Sequence, residues 1–554
     1  MSQEIESAVK TAVKELYHFD LRSPLEHPKQ EDFGDFASPA ALEVAREIDS
    51  DPLEIADQLK IKLENLLKGG VKEIRVEKPG FLNFWLKDSV LLEGVTRVGK
   101  ETDRYGSSAL GQGQTVVIDY SAPNIAKRFG IGHLRSTVIG QALYNLHQFS
   151  GYKVVGDNHL GDWGTQFGAI LAQIRSTKSE ILNLAVDDLE KLYVEFHHKA
   201  EKNPKLMEEA REWFLKLEGG DKEARSIWQA VVEVSRKEFD RIYALLGVEF
   251  DYSYGESFYE DKMPAVIADI RRKGLSKKSD GAEIIEFPNL PPAILVKSDG
   301  ATTYFTRDLA TIKYRLETWN PEIILYEVGA EQKLHFQQVF AAAKMLGWAN
   351  GRQLAHIAHG LIRFAEGKLS TRRGQTVKLE DVLDEAITRA KKLTGGNEDV
   401  ARAVGVGALK YFDLTHQPQT DIIFDWEKLF LLEGNSAPYL QYTYARATSV
   451  IAKSKNNQPL VSSREPVVGE AEIPLLRYIY RFPEVVRDAT RARSPNLVCN
   501  YLFELAQRFN SFYAAVPIIK AGENKDLRLA LTSATAQVLK NGLTLLGIET
   551  PERL

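Results

Sequence analysis

Thr115-Val116-Val117-Ile118-Asp119-Tyr120-Ser121-Ala122-Pro123-Asn124-Ile125-Ala126-Lys127-Arg128-Phe129-Gly130-Ile131-Gly132-His133-Leu134-Arg135-Ser136-Thr137 is the stretch on which the fold turns. Its first six residues, rich in β-branched side chains, fit a buried strand. Gly130 and Gly132 let the backbone approach a ligand closely. The helix expected from about Gly132 offers free N–H groups and the positive end of its dipole to a phosphate. Lys127 and His133 add a cation and a ring donor at the same turn. A tight strand-to-helix turn with a core histidine would show much the same local pattern, so the turn alone leaves both readings open.

Working outward, Tyr152–Asp157 reads as the next short strand, and strand–loop–helix–strand spacing predicts a doubly wound parallel sheet. A long charged helical insertion is expected near 176–246. Strands are expected again at Ile284–Phe287, Ala293–Lys297 and Glu322–Val328. These segments make 114–380 one Rossmann-like domain. Upstream, 1–104 reads as an α+β domain. Helical periodicity fits Ile5–Leu16, Ala40–Glu47 and Leu53–Leu67, and strands fit Lys72–Val76 and Phe81–Leu86, broken at Pro79-Gly80. The Gly/Ser-rich 105–113 reads as a linker. Downstream, 381–434 is a helical connecting segment and 435–554 an all-α domain, with a polar loop at 453–472. The fold class expected is therefore multidomain α/β, with an α+β domain before the parallel sheet and a helical domain after it.

The composition of the 554-residue chain, 44% hydrophobic and 27% charged, excludes a disordered or low-complexity polymer. No apolar run approaches the ~18 residues of a membrane span. Met1–Glu6 lacks the basic start and apolar stretch of a signal peptide, and the single Cys499 excludes an internal disulfide framework and a multi-thiolate metal site. The expected compartment is the cytoplasm. Net charge is −5, but from Asn435 onward 15 basic residues face 10 acidic ones, so this part is positive and the rest carries −10. Such asymmetry fits a module that meets a polyanion, and equally a solvated basic helical surface.

Taken with its flanks, the turn resembles the class I aminoacyl-tRNA synthetases. Gly130-Ile131-Gly132-His133 stands where that class carries its HIGH signature. Ser-x-Pro-Asn-Ile-Ala-Lys at 121–127 and Leu-Arg-Ser-Thr at 134–137 are similar to the arginyl-tRNA synthetase family, as is Asn158-His159-Leu160-Gly161-Asp162-Trp163-Gly164-Thr165-Gln166-Phe167-Gly168. Gly367-Lys368-Leu369-Ser370-Thr371-Arg372-Arg373-Gly374 places three basic side chains between glycines, as a closing lid over polyphosphate needs. It resembles the class I KMSKS loop. Two departures stand out: Gly130 replaces the usual first histidine, and Thr371 the usual second lysine, whose charge Lys127 or Arg372 would supply. The resemblance implies an ATP site made of Lys127, Gly130, Ile131, Gly132, His133, Lys368, Ser370, Thr371 and Arg372. It implies ATP with Mg2+ as substrate, no prosthetic group, no zinc and no resident metal.

A site for arginine needs carboxylates, because the planar guanidinium presents a fork of donors. Tyr304 and Asp308 are four apart and share a face at a helix start, and Gln332 ends a strand region where open α/β sheets bind ligands. Singly, Tyr304 also fits packing and Asp308 a helix-start carboxylate. The blocks around them (Tyr304-x-x-x-Asp308; Glu331-Gln332-x-x-His335-Phe336) resemble the same family. By that resemblance Asn124, Tyr304, Asp308 and Gln332 match its arginine contacts, with Asp119 and Glu256 as weaker additions. In the helical domain, Tyr439, Tyr442 and Arg446 match the start of the anticodon-binding module; stacking on bases and helix packing both suit the tyrosines. Arg477, Arg481, Arg487, Arg491 and Arg493 are candidate phosphate contacts. Gly34–Ser38 and Pro79–Phe84 are similar to the family's additional N-terminal domain, which meets the tRNA elbow, although Phe81 and Phe84 also fit a core.

The resemblance implies an arginine–tRNA ligase. It forms arginyl-adenylate from L-arginine and ATP, then loads the terminal adenosine of tRNA(Arg), without a covalent enzyme nucleophile. The family also implies a monomer that needs tRNA for the first step, with no membrane partner. A class I ligase for another amino acid and a non-catalytic RNA-binding relative are the competing readings. Gly130 and Thr371 motivate the second; Lys127, His133 and Lys368 stand against it.

Overall fold

Four strands make a wholly parallel sheet in the order Gln353–His359, Ile323–Gly329, Thr115–Asp119, Lys153–Asp157. Val116, Val117 and Ile118 are fully buried, as a central strand covered on both faces requires. The helix Gly132–Phe149 carries the chain from the Thr115–Asp119 strand to its neighbour Lys153–Asp157. The two later strands add on the opposite side. The order thus reverses beside Thr115–Asp119, and at such a switch point the connections leave in opposite directions and open a crevice at the strands' carboxyl ends. The computed structural model describes all residues except 23, 24, 29, 178–180, 182, 183, 365–376 and 455–466. Lys368, Ser370, Thr371 and Arg372 lie outside the described residues, as does most of the polar loop expected at 453–472.

The insertion consists of helices Val186–Lys202, Lys205–Glu218 and Lys222–Leu246. The last buries Val231, Val234, Ser235, Phe239, Ile242, Tyr243 and Leu246, the three-and-four spacing of a single helical stripe. Asp221 caps its start by accepting from the Ala224 N–H, and Gly247 ends it at φ 58°.

The expected strands at 284–287 and 293–297 do not continue the parallel sheet. They pair as Ala282–Ile285 and Ala293–Val296 with Ser276–Ser279 in a separate antiparallel sheet. The cause is local: Asp280-Gly281, both at positive φ, makes a two-residue turn, and a turn that short joins only antiparallel strands. The fourth parallel strand, Gln353–His359, carries little β signal in its Gln, His and Ala side chains. It is an edge strand, and its backbone pairing with Ile323–Gly329 holds it. An exception to the helical expectation after 380 is Ile422–Phe424, which pairs in parallel with Ile362–Phe364.

The chain divides into two compact units: 1–105 with 446–482 and 504–539, and 106–445 with 483–503 and 540–554. In the first, Phe36–Ser38, Phe81–Leu86 and Val71–Glu77 form a three-stranded antiparallel sheet. Helices Ser2–Tyr17, Ala40–Ile48 and Pro52–Leu66 match the periodicity of the sequence. Phe84 is fully buried, whereas Phe81 is only half-buried. Tyr105, read as the start of a linker, is instead a buried anchor whose hydroxyl donates to the Ile479 carbonyl. The second unit contains the parallel sheet and everything described next.

Candidate active site

The turn after Thr115–Asp119 is closed on itself. The Gly130 N–H donates to Nδ1 of His133 at 3.1 Å, and the His133 N–H donates to the Gly130 carbonyl at 3.0 Å. Burial holds the imidazole below its ordinary pKa range, and the positive Lys127 and His359 nearby push the same way. The helix from Gly132 has no side-chain cap, and its His133 and Leu134 amides donate instead to the carbonyls of Gly130 and Ile131; what the helix start offers an anion is chiefly the positive end of its dipole. A Cβ at Gly132 would meet nothing within 4 Å, so the turn is open on that side.

The chain on the far side of the basic segment returns to this turn. The Ile131 N–H donates to the Val377 carbonyl at 3.0 Å, Gly130 bridges Lys378, and the Leu379 N–H donates to the Phe129 carbonyl at 2.8 Å. Residues more than 240 apart in sequence are thus joined by backbone hydrogen bonds. Lys127 is exposed beside them. Arg128 is not available to a ligand: it forms ion pairs with Asp187 and Glu190 of the insertion, and Lys378 meets the same Asp187 at 2.9 Å. On the inner side, Arg135 meets Asp413 at 3.1 Å and the Thr420 carbonyl at 2.7 Å, which locks the first turns of the helix.

Asn124 and Gln332 lie at the carboxyl ends of the two central strands, both exposed. Asn124 bridges Gly161, where a Cβ would come within 2.3 Å of the Asn124 Oδ1; this approach explains the glycine. Tyr304 and Asp308 occupy the first turns of the helix Tyr304–Trp319 and converge on His335, which begins the next helix. Tyr304 is 62% exposed and its ring centroid is 4.8 Å from the His335 ring. Nε2 of His335 donates to Oδ2 of Asp308 at 2.5 Å.

Asp119 is also engaged within the chain. It is buried, and its Oδ2 accepts from Nη2 of Arg315 at 2.7 Å, while Oδ2 of Asp157 accepts from the same nitrogen at 2.8 Å. Burial raises both carboxyls and Arg315 opposes the rise. Asp119 thus serves as a counterion to Arg315 through its Oδ2. The helix that begins with Tyr304 brings Arg315 onto the strand ends, a relation invisible along the chain. Glu256 lies close enough to Asp308 for their charges to interact. Burial pushes its carboxyl up to about 7, with Arg307, 3.3 Å away, opposing and Asp308 adding repulsion. Asp162, from the second block, accepts from the Ser257 N–H at 2.8 Å and hydroxyl at 2.7 Å and so fixes the loop that carries Glu256.

Residues 95–426 match the family model for the catalytic domain of class I tRNA synthetases (R). Residues 3–86 match the arginyl tRNA synthetase N terminal domain, and 440–554 the DALR anticodon binding domain. An arginine–tRNA ligase of Clostridium botulinum (strain Alaska E43 / Type E3) is 39% identical over 96% of each chain, and one of Clostridioides difficile (strain 630) 38% identical over 99% of each. The chain belongs to the class I arginyl-tRNA synthetase family. The arginyl-tRNA synthetase of Plasmodium falciparum superposes with a TM-score of 0.85 at 25% identity, covering 100% of this chain and 99% of that one. The Thermus thermophilus arginyl-tRNA synthetase shares the fold, with a TM-score of 0.84 at 23% identity and all of both chains covered.

Within the arginyl-tRNA synthetase frame, the helix Ala437–Lys453 separates the two tyrosines that sequence left ambiguous. Tyr439 is half-buried with its ring edge-on to Phe503 at 5.7 Å, a packing role. Tyr442 is 45% exposed. Arg446, in the other compact unit, donates to Oδ1 of Asn510 at 2.5 Å and lies over the Tyr513 ring. Arg477 pairs with Asp35 at 2.9 Å, and burial lowers the pKa of Arg493, so neither is a simple surface cation. Sequence reasoning missed His335, Arg315, Asp157 and the Glu327–His359 pair, whose Oε1 and Nδ1 lie 2.9 Å apart. His335 lies inside a quoted block, and that was its available signal. The buried pairs had none, because their partners are far apart in the chain.

Proposed function

We propose that this chain is an arginine–tRNA ligase. It condenses L-arginine with ATP to arginyl-adenylate and diphosphate, then transfers the arginyl group to the terminal adenosine of tRNA(Arg), at the 2′-hydroxyl. The observation that carries the reading is the backbone pairing of Gly130 and Ile131 with Val377 and Lys378. It brings Val377 and Lys378 to the nucleotide turn, beside the switch point near which Tyr304, Asp308 and His335 meet.

ATP enters as its magnesium complex. The arginine carboxylate attacks the α-phosphorus in line, and diphosphate leaves. The positive end of the Gly132 helix and Lys127 oppose the charge on the phosphates, His133 shapes the turn, and Lys368, Ser370, Thr371 and Arg372 receive the diphosphate. Asp308 and Glu256 take the guanidinium, Tyr304 covers the side-chain stem, and Asn124 and Gln332 hold the α-amino and carboxylate groups. In the second step the tRNA hydroxyl attacks the carbonyl carbon and AMP departs. No side chain becomes covalently bonded to substrate; positioning and electrostatics supply the rate. Tyr442 is the residue most open to an anticodon base, with Arg446 after it. Among the described residues no helix is long and apolar enough to cross a membrane. We take the working form to be a monomer in the cytoplasm.

The test is charging of total tRNA with each labelled amino acid in turn, in the presence of ATP and Mg2+. Arginine alone should become tRNA-bound. Charging with another amino acid would overturn the pocket, and tRNA binding without any charging would favour a non-catalytic RNA binder.

A further inference from the structure

Asp308 does not stand alone in the proposed arginine pocket. Its Oδ2 accepts from Nε2 of His335 at 2.5 Å in a half-enclosed setting, with the imidazole side chain 10% exposed and the carboxylate 22%. Tyr304 covers the ring from one side. The next residue, Phe336, is buried against Tyr326, with ring centroids 4.9 Å apart, which pins the helix that carries His335. The imidazole therefore has little freedom to leave.

We infer that His335 is a positioning residue for arginine recognition: it fixes the plane of the Asp308 carboxylate so that its remaining lone pairs meet the coplanar donors of the substrate guanidinium. The inference rests on the arginine–tRNA ligase reading. A carboxylate has about four lone-pair directions. His335 occupies one, and a hydrogen bond held on that side removes the side-chain rotation that would otherwise blur the others. A guanidinium fork depends on that plane, whereas a lysine ammonium, a point charge with rotating donors, does not. His335 thus sharpens the choice of arginine over lysine through Asp308 without touching the reacting atoms.

The experiment is steady-state charging of tRNA by the full chain, with KM for arginine and for ATP measured separately in wild type and in His335→Leu, His335→Gln and His335→Asn. The glutamine amide reaches the place of Nε2 and can donate to Oδ2; the asparagine amide falls short. In the leucine and asparagine variants the arginine KM should rise at least about tenfold, as loss of a hydrogen bond to a charged group allows. ATP KM and kcat should change less than about threefold. Glutamine should restore the arginine KM to within about threefold of wild type. An unchanged arginine KM in asparagine and leucine variants, an equal rise in the glutamine variant, or a parallel rise in ATP KM would each overturn the inference. If leucine abolishes folding, the glutamine–asparagine contrast decides alone. Wild type that charges no arginine would instead overturn the ligase reading, so the two failures are distinct.

Discussion

Two acidic clusters sit at the carboxyl ends of the same parallel sheet, and they have opposite fates. In one, Asp119 and Asp157 close on Arg315, all three side chains essentially out of solvent. In the other, Asp308 meets a histidine and a half-open tyrosine at the rim, with Glu256 close enough for the charges to interact. The first cluster engages one oxygen of each carboxylate with a guanidinium from the chain itself; the second engages one oxygen of Asp308 with an imidazole at the rim. A carboxylate near a site is therefore no evidence of ligand binding until its internal partners are known. Burial and an internal cation make it structural, and partial exposure with a positioning donor leaves it available.

Methionine at Arg315 probes the sealed cluster and carries the largest expected effect. It leaves two buried carboxylates without a counterion, and the folded state should lose about 3–5 kcal/mol. Chemical denaturation of the R315M chain measures this, and wild-type stability would break the contrast by showing that the cluster needs no cation. The rim cluster responds to Asp308→Asn in function. The arginine kcat/KM should fall on the order of a hundredfold, about 3 kcal/mol, as when one partner of a half-buried charge pair is lost. Stability should stay within about 1 kcal/mol of wild type, and the readout is arginine-dependent charging beside a urea titration. Arginine use that survives this change would move the guanidinium elsewhere.

The smallest effect concerns Glu256, whose carboxyl is raised from 4.5 to about 7. The folded chain holds that proton more tightly than the unfolded chain. The stabilising contribution is therefore full below about 4.5 and is lost as pH rises through about 7. Because its side chain is 26% exposed and Arg307 lies beside it, the loss between pH 5 and 8 is discounted to about 1–2 kcal/mol. The stability of Glu256→Gln minus that of wild type should grow over this range. A difference that stays flat would show Glu256 titrating like an open carboxylate and would detach it from the rim cluster.

The legibility of these features followed the distance between interacting residues. The stripe from Val231 to Leu246 and the helices of residues 2–66 were readable because their signal is a local period. The sharing of a face by Tyr304 and Asp308 was readable for the same reason. The strand Gln353–His359 was not, since its stability comes from hydrogen bonds to a strand with no trace in its own side chains. The tyrosines Tyr439 and Tyr442 carry equal stacking potential as residue types; their packing, with Tyr439 edge-on to Phe503 and Tyr442 more exposed, distinguishes them.

Local sequence was enough for the family and for the strand–turn–helix with its Gly130 in place of the usual first histidine, because backbone freedom, helix ends and charge are written residue by residue. Folding alone decided which internal partner each carboxylate meets. Asp119 meets a cation 196 positions away and Asp308 a histidine 27 positions away. Such pairings depend on the order of strands across the sheet and on where each following helix ends. Electrostatic availability is a property of the three-dimensional neighbourhood, and no stretch of chain encodes it alone.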